Sequence, residues 1–119
     1  PIAGLLRDLK QRGMLDSTLV VWTSDFGRTP WSQNTIGRDH NPKGFTSWLA
    51  GGSVKGGTVH GNTDDVGYRA VEHPHYIADL QATILHQLGL DAERMEVDID
   101  GRPVRLVERF ADPIHAILG

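Results

Sequence analysis

A run of apolar and β-branched residues, Thr18-Leu19-Val20-Val21-Trp22-Thr23, most restricts the fold that this chain can adopt. Because the run has no polar alternation, it is typical of a strand buried on both faces of a parallel sheet. Ahead of it, apolar residues recur at helical spacing from Ile2 to Leu9, and Gly13 is suited to end a helix. An amphipathic helix followed by a buried strand predicts an α/β fold.

The rest of the sequence predicts shorter elements. Residues 45–50 predict a second short strand, and residues 77–88 predict a helix that Gly89 ends. Asp100-Gly101 suits the positive φ angles of a tight turn, so the apolar segments on either side of it predict a small β-hairpin. Asp112-Pro113 precedes an apolar segment and predicts a short terminal helix with Asp112 as its cap.

These elements predict a single domain over residues 1–119, with an α/β core part (1–90) followed by the hairpin and terminal helix (91–119). The chain begins at Pro1, without an initiator Met, and enters a helical pattern at once. We therefore expect it to be the C-terminal part of a larger domain. A piece of a larger sheet exposes a strand edge and an apolar face, so we also expect self-association into a homo-oligomer.

Composition argues against several classes of function. Twelve Lys and Arg residues against 15 Asp and Glu give a net charge of -3, without the basic excess that nucleic-acid and anionic-membrane binding use. No apolar run approaches the roughly 20 residues needed to cross a bilayer. The sequence has no cysteine, so any metal would be held by His, Asp, Glu, Asn or backbone oxygen.

Residues with metal-binding chemistry follow the predicted buried strand, at the end where open α/β sheets bind ligands. Asp25 stands just after the strand, and Asp39, His40 and Asn41 follow in the same polar segment. Carboxylate and imidazole groups suit zinc or a similar divalent ion, and His60, in a glycine-bounded loop, could add a ligand. The same residues also suit structural roles, because Asp25 could cap the strand end, the later group could form a turn, and His60 could be solvated.

Two arginines in this segment, Arg28 and Arg38, carry anion-binding chemistry. A guanidinium group can bind an ester anion through paired hydrogen bonds, and it also pairs readily with carboxylates. The sequence leaves both interpretations open.

Eight segments together resemble a family of uncharacterised sulfatase-like proteins of bacteria, domain of unknown function 1501, within the alkaline phosphatase-like superfamily. The resemblance covers nearly the whole chain, in order. It is carried by residues 5–13, 18–22, 26–30, 38–42, 48–52, 67–71, 79–86 and 88–91.

The resemblance implies the C-terminal part of an alkaline phosphatase/sulfatase-like α/β sandwich and a metal-dependent hydrolase of sulfate or phosphate esters. Its divalent metals, zinc, calcium or magnesium, would polarise a small anionic ester substrate. By similarity Asp25 and His40 are metal ligands, and Asp39 and Asn41 are ligands or groups that support them. In many superfamily enzymes a His follows the strand-end Asp, whereas here Phe26 follows it, so one ligand must come from elsewhere.

The resemblance also places the nucleophile N-terminal to this region. We therefore expect this chain to be inactive alone and to need the N-terminal part of the same protein as its partner. Relatives are often exported or periplasmic. The alternative is a non-catalytic binding or structural module that self-associates.

Overall fold

The computed structural model describes residues 1–33, 36–107 and 110–119, which form two compact units, Pro1–Pro74 and His75–Gly119. Helices and short strands both occur, so the predicted mixed α/β composition is confirmed. The described strands pair as two-stranded antiparallel sheets, not as the parallel sheet that the apolar run predicted. Within these ranges no helix is long and apolar enough to cross a membrane.

The first unit opens with helix α1, Ile2–Gln11, at the place that the sequence predicted. Leu9 is the buried residue of this helix, while Ile2 and Leu5 remain 44% and 49% exposed. The apolar face of α1 is therefore only partly covered by the described residues.

The apolar run forms β1, Val20–Trp22, which is shorter than predicted and pairs antiparallel with β4, Trp48–Ala50. Trp22 lies opposite Trp48, and their rings stack with centroids 6.4 Å apart. The prediction of a strand buried on both faces is wrong for the described residues, because Trp22 is 44% exposed. An apolar run indicates burial, but it does not predict whether the partner strand runs parallel or antiparallel.

The segment between β1 and β4 forms a second pair, β2, Gly27–Arg28, with β3, His40–Asn41. Arg28 lies opposite His40 in this register. A third pair joins β5, Asn62–Thr63, to β6, Ala70–Glu72. These strands are so short that the loops between them make up most of this part of the unit.

Asn41, a residue that is 1% exposed, joins these loops through its side-chain amide. Its Nδ2 donates to the Tyr68 carbonyl at 2.9 Å and, more weakly, to the Gly44 carbonyl at 3.5 Å. Its Oδ1 accepts from the Lys43 N–H at 3.1 Å, and the Lys43 carbonyl accepts from the Ala70 N–H at 2.9 Å. Buried polar contacts therefore connect the β3 loop to the start of β6.

The second unit is built on helix α2, Ile77–Gln87, also where the sequence predicted a helix. Ala78 and Ala82 of α2 form a small buried core with Val107. Partly buried apolar residues pack against this core: Leu85, Ala92 and Ala111.

The predicted hairpin is confirmed as β7, Glu96–Ile99, paired with β8, Arg102–Arg105. Asp100 and Gly101 form its turn with φ angles of 54° and 78°. The hairpin belongs to the same unit as α2, whereas the division at residue 90 assigned α2 to the first part.

The terminal helix is a short 3-10 turn, His115–Ile117, and none of the described side chains caps it. The predicted cap by Asp112 is wrong, because the turn begins three residues later and has Ile114 at its N-cap position. Helix α2 instead binds the backbone of this segment. Asp79 Oδ1 accepts from the Asp112 N–H at 3.2 Å. Thr83, which is fully buried, donates from Oγ1 to the Asp79 carbonyl at 2.6 Å and accepts from the Ile114 N–H at 2.8 Å.

We expect Asn41→Ala to lower the free energy of unfolding by about 1–3 kcal/mol, because the Tyr68 carbonyl and the Lys43 N–H lose the hydrogen bonds that the buried Asn41 side chain makes to them. Urea unfolding followed by circular dichroism measures the loss. Asn62→Ala is the matched control, since Asn62 is exposed and its Oδ1 accepts from the adjacent Thr63 N–H; a change within about 0.5 kcal/mol is expected there. Equal losses in the two variants would contradict the role given to Asn41.

We expect Thr83→Val to speed hydrogen exchange of the Ile114 amide and to destabilise the protein by about 1–3 kcal/mol, because this nearly isosteric change leaves that N–H without its acceptor. Exchange measured by NMR reports the first effect and thermal unfolding the second. Thr58→Val is the control, because Thr58 is exposed and its hydroxyl donates to the Lys55 carbonyl. Unchanged exchange at Ile114 would show that Thr83 does not hold the terminal segment.

Candidate functional site

An open groove of about 750 Å³ lies beside the β2–β3 pair. Its lining includes four of the residues that the sequence predicted for a site: Arg28, Arg38, Asp39 and His40. The rest of the lining is Gln33, Ile36 and Gly37. Strand pairing brings the site residues together, because the register sets Arg28 directly opposite His40.

Neither arginine of the groove forms an ion pair with a carboxylate in the part of the chain that the structure describes. Arg28 Nη1 donates to the Arg38 carbonyl at 3.1 Å, and the Arg28 guanidinium carbon lies 5.6 Å from the centre of the Phe26 ring. Carboxylate pairing, one of the two possibilities left open by the sequence, is thus not observed. Both exposed guanidinium groups keep donors for another acceptor.

Asp39 and His40 contact the surrounding loop differently. Asp39 Oδ2 accepts from the Gln33 N–H at 3.0 Å, and the Asp39 N–H donates to Thr29 Oγ1 at 3.2 Å. These bonds organise the loop as an aspartate-centred turn does. The exposed His40 ring stacks on Phe26, with centroids 3.8 Å apart and an interplanar angle of 26°, so the ring plane is fixed while the loop backbone is held by Asp39.

The other three predicted metal ligands are not in the groove lining. Asp25 is exposed, and its Oδ1 accepts from the Phe26 N–H at 3.1 Å, a local contact of the kind expected at a strand end. Asn41 is buried and uses its amide to join loops. His60 stacks on His73 with centroids 5.1 Å apart.

A complete metal centre is not formed by the described residues, which contain no group of three or more His, Cys, Asp and Glu side chains able to hold a metal ion. In the groove, Asp39 and His40 offer two donors, whereas zinc sites use three or four protein ligands. The metal-ligand assignment therefore stays a prediction that requires ligands from outside these ranges.

Sequence reasoning missed Phe26 as a part of this site. Its ring contacts both His40 and the guanidinium group of Arg28. The available signal was the two-residue spacing of Phe26 and Arg28, which sets both on the same face of an extended segment.

Comparison with known proteins identifies the family of the chain. No curated protein and no solved structure matches it. The family described as "Protein of unknown function (DUF1501)" matches residues 1–118, which is nearly the whole chain and confirms the family part of the resemblance. The chain therefore belongs to the DUF1501 family of proteins of unknown function.

Proposed function

We propose that this chain is the C-terminal part of a metal-dependent hydrolase of sulfate or phosphate esters, with the α/β sandwich of the alkaline phosphatase-like superfamily. In this proposal the groove binds the anionic group of the substrate. The observation that carries it is the pair of exposed arginines, Arg28 and Arg38, which share one groove with His40 and have no carboxylate partner among the described residues. Sulfate and phosphate groups present several acceptor oxygens, which guanidinium groups bind through charge-assisted hydrogen bonds.

The contacts of Arg28 support this assignment. Its hydrogen bond to the Arg38 carbonyl ties the two arginine-bearing segments together, and its guanidinium carbon lies over the Phe26 ring. A side chain already held in this way loses less conformational freedom when it binds an anion. The chain thus offers a partly preorganised cation on one strand and a second cation on the opposing loop.

The chemical step is assigned to other parts of the protein. The nucleophile and the remaining metal ligands are proposed to lie on the N-terminal part, which is the partner of this chain, and Asp39 and His40 are this chain's candidates for contacting a metal. The chain alone should bind the anion without hydrolysing an ester.

The alternative function, a non-catalytic module that self-associates, is favoured by the exposed apolar side chains of the first unit. Ile2, Leu5 and Trp22 are each between 44% and 49% exposed. Such residues are suited to cover one another in a second copy of the chain. This function predicts an oligomer that has no selective affinity for sulfate or phosphate.

We expect Arg38→Ala to weaken binding of inorganic sulfate or phosphate at least about tenfold, because it removes a charge-assisted hydrogen bond. NMR titration that follows the guanidinium N–H signals measures the affinity. Arg7→Ala is the matched control, since Arg7 is an exposed arginine of α1 outside the groove. Equal affinity in Arg38→Ala and the unaltered chain would overturn the proposal, and an oligomer detected by sedimentation would then favour the alternative.

We expect zinc added to the chain to shift the NMR signals of Asp39 and His40 and to be removed by dialysis against a chelator, because two donors hold the ion weakly. His40→Ala should abolish the response. His86→Ala, which changes an exposed histidine of α2, should preserve it. A zinc response that survives His40→Ala would exclude His40 as the ligand.

A further inference from the structure

Two cationic side chains lie beside an aromatic pair in the first unit, and neither cation is in the lining of the groove. The rings of Trp31 and Tyr68 lie 4.7 Å apart between centroids, tilted by 45°, and Trp31 is 49% exposed. Lys43 Nζ donates to the Tyr68 hydroxyl at 3.1 Å and lies 5.1 Å from the ring centre. The Arg69 guanidinium carbon lies 5.6 Å from the same ring. These four residues are referred to as the Trp31–Tyr68 cluster.

The backbone of this cluster is held on two sides. The Asp64 carboxylate accepts from the Tyr68 N–H at 2.6 Å and from the Arg69 N–H at 3.2 Å. The Tyr68 carbonyl accepts from the buried Asn41 amide at 2.9 Å. The backbone that carries the Tyr68 and Arg69 side chains is therefore already ordered, which lowers the ordering cost of binding a ligand.

The two cations of the cluster have no carboxylate partner in residues 1–33, 36–107 and 110–119. Lys43 and Arg69 each lie near the Tyr68 ring, so an anion bound beside that ring would be attracted by an unpaired cation. The exposed part of the Trp31 indole is a flat apolar surface with a polar N–H at its edge. A flat apolar ring next to unpaired cations suits a ligand that combines a C–H face with an anionic substituent.

The cluster and the groove share the same structural support. Thr29 Oγ1 donates to the Trp31 carbonyl at 2.5 Å, and the Thr29 N–H donates to the carbonyl of Asp39 in the groove at 2.9 Å. Asn41, which holds Tyr68, follows His40 in β3. A ligand with one group in the groove and another at the cluster would therefore contact two regions that hydrogen bonds of Thr29 and Asn41 already connect.

We infer that the Trp31–Tyr68 cluster binds a sugar ring of an anionic carbohydrate, with the C–H face of the ring on Trp31 and a sulfate or carboxylate group at Lys43 and Arg69. This inference rests on the proposed function and deepens it by naming the substrate class. The ester group to be cleaved occupies the groove, and the cluster recognises the neighbouring sugar. The substrate is thus a carbohydrate with at least two anionic groups.

The test is isothermal titration calorimetry of the chain with a disulfated disaccharide, its unsulfated counterpart and inorganic sulfate. We expect Trp31→Ala to weaken binding of the disulfated disaccharide about fivefold to tenfold. The same substitution should leave the affinity for inorganic sulfate unchanged. Trp31→Phe, which keeps an aromatic ring, should retain part of the affinity. Trp22→Ala is the control, because Trp22 is similarly exposed but stacks on Trp48 in the β1–β4 pair.

The outcomes separate this inference from the proposed function. No binding of the disulfated disaccharide, or equal affinity in the unaltered chain, Trp31→Ala and Trp31→Phe, overturns the inference. If sulfate binding still depends on Arg38 in that case, the proposed function stands alone. If disaccharide binding depends on Trp31 but sulfate binding does not depend on Arg38, the sugar site is supported and anion binding in the groove is rejected.

Discussion

The Asn41 side chain uses its amide as a donor and as an acceptor at the same time, and the first unit depends on that dual use. A carboxylate could accept from Lys43 but could not donate to the Tyr68 carbonyl. Two-stranded sheets as short as β2–β3 are not stable alone, and Leu9 is the buried apolar residue of this unit among those described. Hydrogen bonds from side chains to the backbone therefore supply part of the stabilisation that an apolar core supplies in other domains.

The same residue links the two ligand-binding regions proposed for the chain. Asn41 adjoins His40 of the groove in β3, and its Nδ2 holds the segment that carries Tyr68. Asn41 was predicted as a metal ligand or as a group supporting one. The contacts given to it by the structure explain the presence of an amide at this position without reference to a metal.

The features that the sequence predicted well are those with a local cause. Helices α1 and α2 follow from apolar spacing, and the hairpin turn follows from the positive φ angles that Asp100 and Gly101 adopt. The pairing of β1 with β4 joins residues that are 26 to 30 positions apart in the sequence. No local pattern predicts that the two strands run antiparallel. The cap predicted for Asp112 is likewise not formed, and side chains of a distant helix, Asp79 and Thr83, bind the backbone of this segment instead.

The candidate site shows the same division. The residue types and the family could be recognised from the sequence, which identified Arg28, Arg38, Asp39 and His40. Their assembly in one groove could not, because it depends on a register that sets Arg28 opposite His40 and on the bond from Arg28 to the Arg38 carbonyl. The stacking of Phe26 on His40 likewise requires the strands to be paired.

The positions where backbone segments lie close together limit where the chain can accept insertions. A Cβ at Gly27 would collide with the Gly44 carbonyl, and one at Gly51 would collide with the carbonyls of Leu15 and Thr18. By contrast, Gly56 has open space around it, and the exposed turn that contains it ends near Val59, which is 95% exposed. Insertions in homologues, and a tag or fluorophore introduced by design, should therefore be tolerated around residue 56 and not beside the groove.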